Sequence, residues 1–201
     1  MEMGQSNSRE VQNYNMSETA ISYNGGEVIG EVVMAFMAGF PPAIQDAGLQ
    51  VLEEHGISNI EAGRYYPLGS FLNAMQSVSD RFGDEMLYRI GTEIAANAVL
   101  PPNVSSLMSS LSSIDQAYQM NHRNGEIGRY DFQDLGKENG LRRAKMICTN
   151  PYPSAFDRGV IDGFSRRFKP NDAIDVIVRL DTSSPTRKNG ENSCTFLISW
   201  G

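Results

Sequence analysis

Cysteine is scarce in this chain: 201 residues hold two, Cys148 and Cys194. Two are too few for a disulfide framework, and both lie within apolar, strand-like runs where a free thiol packs as a small hydrophobe. The expected setting is reduced and cytoplasmic. Histidine is as rare, with His55 and His122 the two present, and neither a nucleophile with its base nor a metal-ligand cluster accompanies them. Positive charge is in deficit: 17 basic against 24 acidic residues give a formal charge of -7, which disfavours unspecific binding to the phosphate backbone of nucleic acid. The basic groups at Arg142, Arg143 and Lys145 and at Arg166, Arg167 and Lys169 read as a solvated face and a helix C-terminus. No apolar run is long, since Val32 to Phe40 falls well short of the roughly 20 residues that span a membrane. Met1 to Asn15 is polar without an apolar core, so no secretory signal is expected. The acceptor patterns at Asn15 and Asn103 carry no weight without secretion. Gly25, Gly26 and Gly30 do not make a dinucleotide fingerprint, because no apolar strand precedes them.

What is present is periodicity. Residues 1–25 are rich in Asn, Ser, Gln and Glu, a composition that cannot offset its chain entropy by burial, and are expected to form a flexible tail. Residues 26–201 are expected to form a single α+β domain of a ligand-binding type. From Glu27 to Phe40 the apolar residues follow helical spacing. Met34, Phe36, Met37 and Phe40 serve there either as core or as a soft binding surface, and Val32, Phe36, Met37 and Phe40 are the candidates for a two-fold homodimer contact. Residues 42–54 read as a short helix with His55 meeting its C-terminal dipole. Pro67 opens an amphipathic helix with Phe71, Leu72, Met75, Val78 and Phe82 on one face, and Gly83 is placed to end it. Asp84 begins the next, with Met86, Leu87, Ile90, Ile94 and Ala98. Asn103 is placed to cap a fifth helix that carries Leu107, Met108, Leu111, Ile114 and Tyr118.

After Met120 the pattern changes from helical spacing to alternation. Ile127–Phe132 and Arg143–Cys148 read as strands, with Ala144, Met146 and Cys148 on one face. Pro153–Phe168 is a helix, and Ala173–Leu180 and Ser193–Trp200 are two further strands. The polar segment that joins them, with Pro185 and Asn189-Gly190, reads as a flexible hairpin loop. Helices first and an antiparallel sheet of about four strands afterwards, with one inserted helix, is an α+β arrangement.

Five stretches, Arg64-Tyr65-Tyr66-Pro67, Leu87 to Ala95, Gly125 to Tyr130, Phe156 to Gly163 and Cys194-Thr195-Phe196, resemble in that order the 4-vinyl reductase-like small-molecule-binding domain. That family shares a superfamily with haem-nitric-oxide-binding sensor domains and TRAPP trafficking subunits. The resemblance covers about residues 60–200 and implies a helical half packed on a sheet around an apolar cavity, holding a small greasy ligand, in proteins that act as sensors or dimerise. The sequence departs from metal-binding members, which carry paired cysteines around the last hairpin. Only Cys194 lies at such a place, so zinc is not expected. Haem-binding relatives use a helical histidine and a Tyr-x-Ser-x-Arg run. His122 sits in a polar turn, no such run follows it, and haem is not expected either.

The candidate ligand-binding residues are Met75, Phe82, Ile90, Ile94, Tyr118 and Phe156 as lining, His122 and Arg123 as orienting groups, and Gly159 and Gly163 as a close-approach face of the last helix. The same apolar residues also serve as ordinary core. No catalytic residue and no cofactor is expected. The sequence reads as a non-catalytic cytoplasmic sensor-type domain that binds a small apolar ligand between helices and sheet. Two alternatives stay open: a TRAPP-like scaffold acting through homodimer or partner contacts, and a reductase component, for which no flavin, nicotinamide or metal motif speaks.

Overall fold

The computed structural model describes residues 25–201, so the expected tail lies almost wholly outside the described residues. Among the described residues five α-helices precede the larger sheet: α1 (Gly30–Ala38), α2 (Gln45–Glu54), α3 (Leu68–Phe82), α4 (Asp84–Asn97) and α5 (Leu107–Met120). Helix α3 begins behind Pro67 and stops at Gly83, whose φ of 83° is a conformation that side-chain-bearing residues avoid. Helix α5 is capped by Ser106, not by Asn103 as the sequence suggested. The Ser106 hydroxyl accepts from Ser109 N at 3.1 Å while Ser109 Oγ accepts from Ser106 N at 2.9 Å, a reciprocal box that satisfies two orphan donors.

Three short strands tie the helices together. Strand β1 (Glu27–Ile29) pairs antiparallel with β2 (Tyr65–Pro67) and with β3 (His122–Arg123). The first residues of the stretch read as helical are therefore a strand, and the turn around His122 is an edge strand. The second sheet is antiparallel in the order β4 (Tyr130–Glu138), β5 (Leu141–Cys148), β7 (Cys194–Trp200), β6 (Val176–Leu180), with helix α6 (Ser154–Arg167) inserted between β5 and β6. Ala144 faces Ile198, Met146 faces Phe196 and Cys148 faces Cys194 across β5 and β7, so the alternating inner residues of both strands form one buried face. The architecture is α+β, with a helical half against an antiparallel sheet.

The core runs unbroken from helices to sheet. Phe36 packs edge-on against Phe40 and Phe71, with ring centroids 5.5 and 5.1 Å apart, and Phe40 against Phe82 at 6.2 Å. Phe36 and Phe40 are thus interior residues and not a free dimer face. Val32 and Met37 are half-buried, packed against the same core. Among the described residues no single helix is long and apolar enough to cross a membrane.

Candidate functional site

The seam between the helices and the sheet holds two polar centres inside an apolar surround. The first is built where α5 ends. The chain leaves the helix at Asn121 and enters β3, which folds the His122 ring back on the last helical turn. His122 Nδ1 lies 2.6 Å from the Tyr118 carbonyl and Nε2 2.7 Å from the Tyr152 hydroxyl. A carbonyl only accepts, so Nδ1 carries the proton, and Nε2 is left to accept from Tyr152 Oη. Burial holds the His122 pKa below its usual value against the opposing pull of the Tyr118 carbonyl, so the neutral ring is favoured. Burial, then the charge of Asp157, raise the Tyr152 pKa and keep its hydroxyl protonated.

Around this pair the rings form a nest. Tyr118 lies 4.2 Å from His122, 5.3 Å from Tyr130 and 5.8 Å from Tyr152, and Tyr152 reaches Phe156 at 5.1 Å and Phe71 at 6.2 Å, centroid to centroid. Tyr118 Oη is spent on the Ile127 carbonyl at 2.5 Å.

The second centre is an ion pair. Asp157, in the first turn of α6, is fully buried, and Arg187, from the connection between β6 and β7, reaches it with Nη1 to Oδ2 at 2.9 Å. Arg187 Nη2 donates to the carbonyls of Cys148 at 2.9 Å and Asn150 at 2.6 Å. Asp157 Oδ1 also accepts from Tyr130 Oη at 2.5 Å and Asn150 Nδ2 at 3.3 Å. Burial outweighs these partners and raises the Asp157 pKa to about 6. Arg187 stays charged, its pKa raised by Asp157 and the neighbouring cysteines against its own burial. Asn150 joins the two centres, because its Oδ1 accepts from Tyr152 N at 2.8 Å. Among the described residues no group of three or more His, Cys, Asp or Glu side chains is placed to hold a metal.

The expected ligand residues are split by the fold. Tyr118, His122 and Phe156 converge on the nest. Met75 and Ile90 are fully buried, while Phe82 and Ile94 are half-buried against the core. Phe82 meets Phe40 and Ile90 meets Gly39, at the end of α1. Gly159 and Gly163 face α4 and not a space: a Cβ on Gly163 would lie 2.7 Å from Ala95 Cβ, and one on Gly159 would run into the Tyr88 carbonyl. Arg123 is exposed, its guanidinium 3.6 Å from the centroid of Tyr65 and its Nε 2.8 Å from Glu27.

Sequence reasoning missed Tyr152, Asn150, Tyr130 and Arg187. Asp157, in the first turn of α6, is buried and paired with Arg187. The segment read as a flexible loop delivers Arg187 to the interior.

No family model and no curated protein matches the chain. Solved structures do. An H-NOX protein from S. oneidensis aligns with a TM-score of 0.64 at 12% identity, over 86% of this chain and 96% of that one. A mutant H-NOX from T. tengcongensis aligns with a TM-score of 0.57 at 14% identity, over 85% and 96%. An oxygen-binding H-NOX domain related to soluble guanylate cyclases gives 0.54 at 12%, over 85% and 93%. At this identity the likeness concerns the backbone alone, and what it shows is that the chain has an H-NOX-like fold.

Proposed function

We propose that this chain is a non-catalytic sensor-type domain that takes a small, mainly apolar molecule at the seam between helices and sheet, and that the molecule is not haem. The observation that carries the reading is the His122–Tyr152 hydrogen bond inside the aromatic nest. Nε2 of one and the hydroxyl of the other are given to each other, so a ligand with one hydrogen-bonding atom exchanges that bond for its own while its apolar body displaces ring contacts. The H-NOX-like fold, whose neighbours include an oxygen-binding domain, supports a sensor role.

Haem does not fit the residues present. An iron ligand needs a nitrogen lone pair facing open space, and His122 Nε2 faces Tyr152 while His55 Nε2 is held by Ser77 Oγ at 2.7 Å. The Cys148 thiol is pushed well above its usual pKa by burial, and Cys194 Sγ is engaged by Ser154 Oγ at 2.8 Å. The buried guanidinium of Arg187 gives Nη1 to Asp157 and Nη2 to two carbonyls, and a propionate brought to it would stand beside the Asp157 carboxylate. Where a flat macrocycle would need a slot, the rings of Phe71, Tyr118, Tyr152 and Phe156 stand edge to face.

The test is native mass spectrometry of freshly purified protein, with thermal shifts on adding indole or p-cresol, each an apolar ring with one polar atom. The expected result is a retained organic adduct or a raised midpoint that Tyr152→Phe reduces. No adduct and no shift with either probe would overturn the reading, and a Soret band on titrating hemin would overturn its haem-free part.

A second reading, an assembly subunit acting through protein contacts, is favoured by one feature. Strand β6 is an edge of its sheet, and Ile177 on it and Ile174 just before it are 54% and 91% exposed. Sedimentation equilibrium of the wild type against Ile177→Lys measures it, and a monomer in both removes this reading.

A further inference from the structure

The connection between β6 and β7, residues 181–193, buries Thr186 and Arg187, and of these Arg187 carries the side-chain hydrogen bonds to the interior. The connection's remaining hydrogen bonds are largely its own: Asn189 N and Glu191 N donate to the Thr186 carbonyl at 2.9 and 3.2 Å, Gly190 N to that of Arg187 at 2.9 Å, and Ser183 and Ser184 to the Asp181 carboxylate. Outward, Lys188 lies 3.7 Å from Asp84 with both side chains more than half exposed, a pair that contributes little. Inward, Arg187 is buried and holds Asp157, Cys148 O and Asn150 O, and its backbone N–H points at Cys194 Sγ from 3.5 Å. Its Nε is buried without a partner, so the closed arrangement leaves one donor unsatisfied.

Beside this loop lies a cleft of about 160 Å³ lined by Tyr88, Ser154, Arg158, Leu180, Lys188 and Phe196. Ser154 is also the floor between cleft and interior, since its Oγ lies 2.8 Å from Cys194 Sγ and 3.5 Å from Arg187 Nη1. Arg187 thus stands between Ser154 at the cleft and the buried Asp157 and Asn150.

We infer that the β6–β7 connection is a gate latched by Arg187, and that it is the entrance by which a small molecule reaches the seam. The entrance role rests on the ligand-binding reading above, whereas the latch does not. A two-position element of this kind opens locally, without global unfolding.

The two cysteines report on it directly. Alkylation of the full chain by iodoacetamide, located by peptide mass, is followed against urea below the unfolding transition. The expected rate at Cys194 is independent of urea until it meets the global-unfolding line, and Arg187→Lys, which keeps the charge but loses the paired donors, raises it tenfold or more. A wild-type rate that follows global unfolding at every urea concentration would overturn the gate. A rate in Arg187→Lys equal to the wild type would overturn Arg187 as its latch. Should that variant not fold, the wild-type urea dependence decides. The readout needs no ligand, so a protein with a working gate and no retained adduct refutes the function and leaves the gate standing.

Discussion

Replacing single glycines by alanine asks whether the seam between α4 and α6 is closed or has room. Gly159 and Gly163 are four residues apart on one face of α6, and Gly91 faces them from α4. A Cβ on Gly163 would sit 2.7 Å from Ala95 Cβ and 2.8 Å from the Thr92 carbonyl oxygen, and one on Gly91 would sit 2.5 Å from the Phe156 carbonyl. Ordinary carbon contacts lie at about 3.5–4.0 Å, so these helices must separate to admit a methyl group. Overpacking of this sort costs about 1–3 kcal/mol, against which the better helix propensity of alanine returns up to about 1 kcal/mol. Gly163→Ala should therefore lose about 1–2 kcal/mol, and Gly159→Ala, whose Cβ meets the Tyr88 backbone, somewhat more. For a domain of this size that is a fall of about 2–8 °C in thermal midpoint. Gly69, in the first turn of α3, has nothing within 4 Å of its would-be Cβ, so Gly69→Ala is the matched control and should hold or raise the midpoint. Differential scanning calorimetry of the three variants under one buffer measures the set. A midpoint raised by Gly163→Ala to the same degree as by Gly69→Ala would mean that α4 and α6 part freely and do not cross closely.

Asp157→Asn should be destabilising, by about 1–3 kcal/mol in urea unfolding, because one carboxyl oxygen that accepts from Tyr130 and Asn150 or from Arg187 is replaced by a donor. Adding Arg187→Met to it should recover part of the loss, and a double variant as unstable as the single would refute the ion-pair account. The pH dependence follows from the raised pKa of about 6 at Asp157 against its ordinary 3.8: the folded state holds the proton more tightly, so this group's contribution to stability declines as pH rises from about 4 to about 6. His122, with its pKa lowered by burial from 6.5, acts in the opposite sense and withdraws stability as pH falls below 6.5. The difference between wild type and Asp157→Asn cancels the histidine, and that difference should shrink as pH rises from 4 to 7; a growing one would reverse the assigned direction. Tyr152→Phe should cost about 1–3 kcal/mol by leaving His122 Nε2 buried without a donor, and a neutral result in urea unfolding would show that water or a rearranged ring replaces the hydroxyl.

The parts of the fold written in local periodicity were legible. Helices α3, α4 and α6 carry apolar residues at helical spacing, and Pro67, Gly83 and Pro153 punctuate them. Strands β5 and β7 alternate, and the inner face of Ala144, Met146 and Cys148 follows from that alone. Strands β1 and β3 were not legible: they are three and two residues long, and what makes them strands is pairing between Val28 and both Tyr66 and His122, far apart in sequence. The site divides in the same way. Tyr118 and Phe156 stand on helical stripes and His122 is one of two histidines, so each drew notice. Tyr152 and Asn150 sit between a strand and a helix, where no period marks a side chain as buried. Arg187 lies in a Ser, Thr and Lys segment whose composition argues for solvent, and its burial is made tolerable by Asp157 and the carbonyls of Cys148 and Asn150, all distant in sequence.

The two polar centres are better understood as one. A buried ion pair costs its desolvation whether or not anything is gained by it, and apolar side chains of similar volume would fill the same place at equal or lower free energy. What such a pair adds is a requirement of geometry, since each member is acceptable only with its partners in position. Here the requirement passes through Asn150, which accepts from Tyr152 N, donates to Asp157 and presents its carbonyl to Arg187. Asn150 is thus bonded both to the backbone of Tyr152, whose hydroxyl meets His122, and to Arg187. The element at the far end, residues 181–193, makes most of its remaining hydrogen bonds within itself. An apolar core would transmit nothing of this kind between the nest and the loop, because its contacts are non-directional. The polar groups placed at the seam therefore form one bonded series, from the ring pair through Asn150 to Arg187 on the β6–β7 connection, in which each member constrains the position of the next.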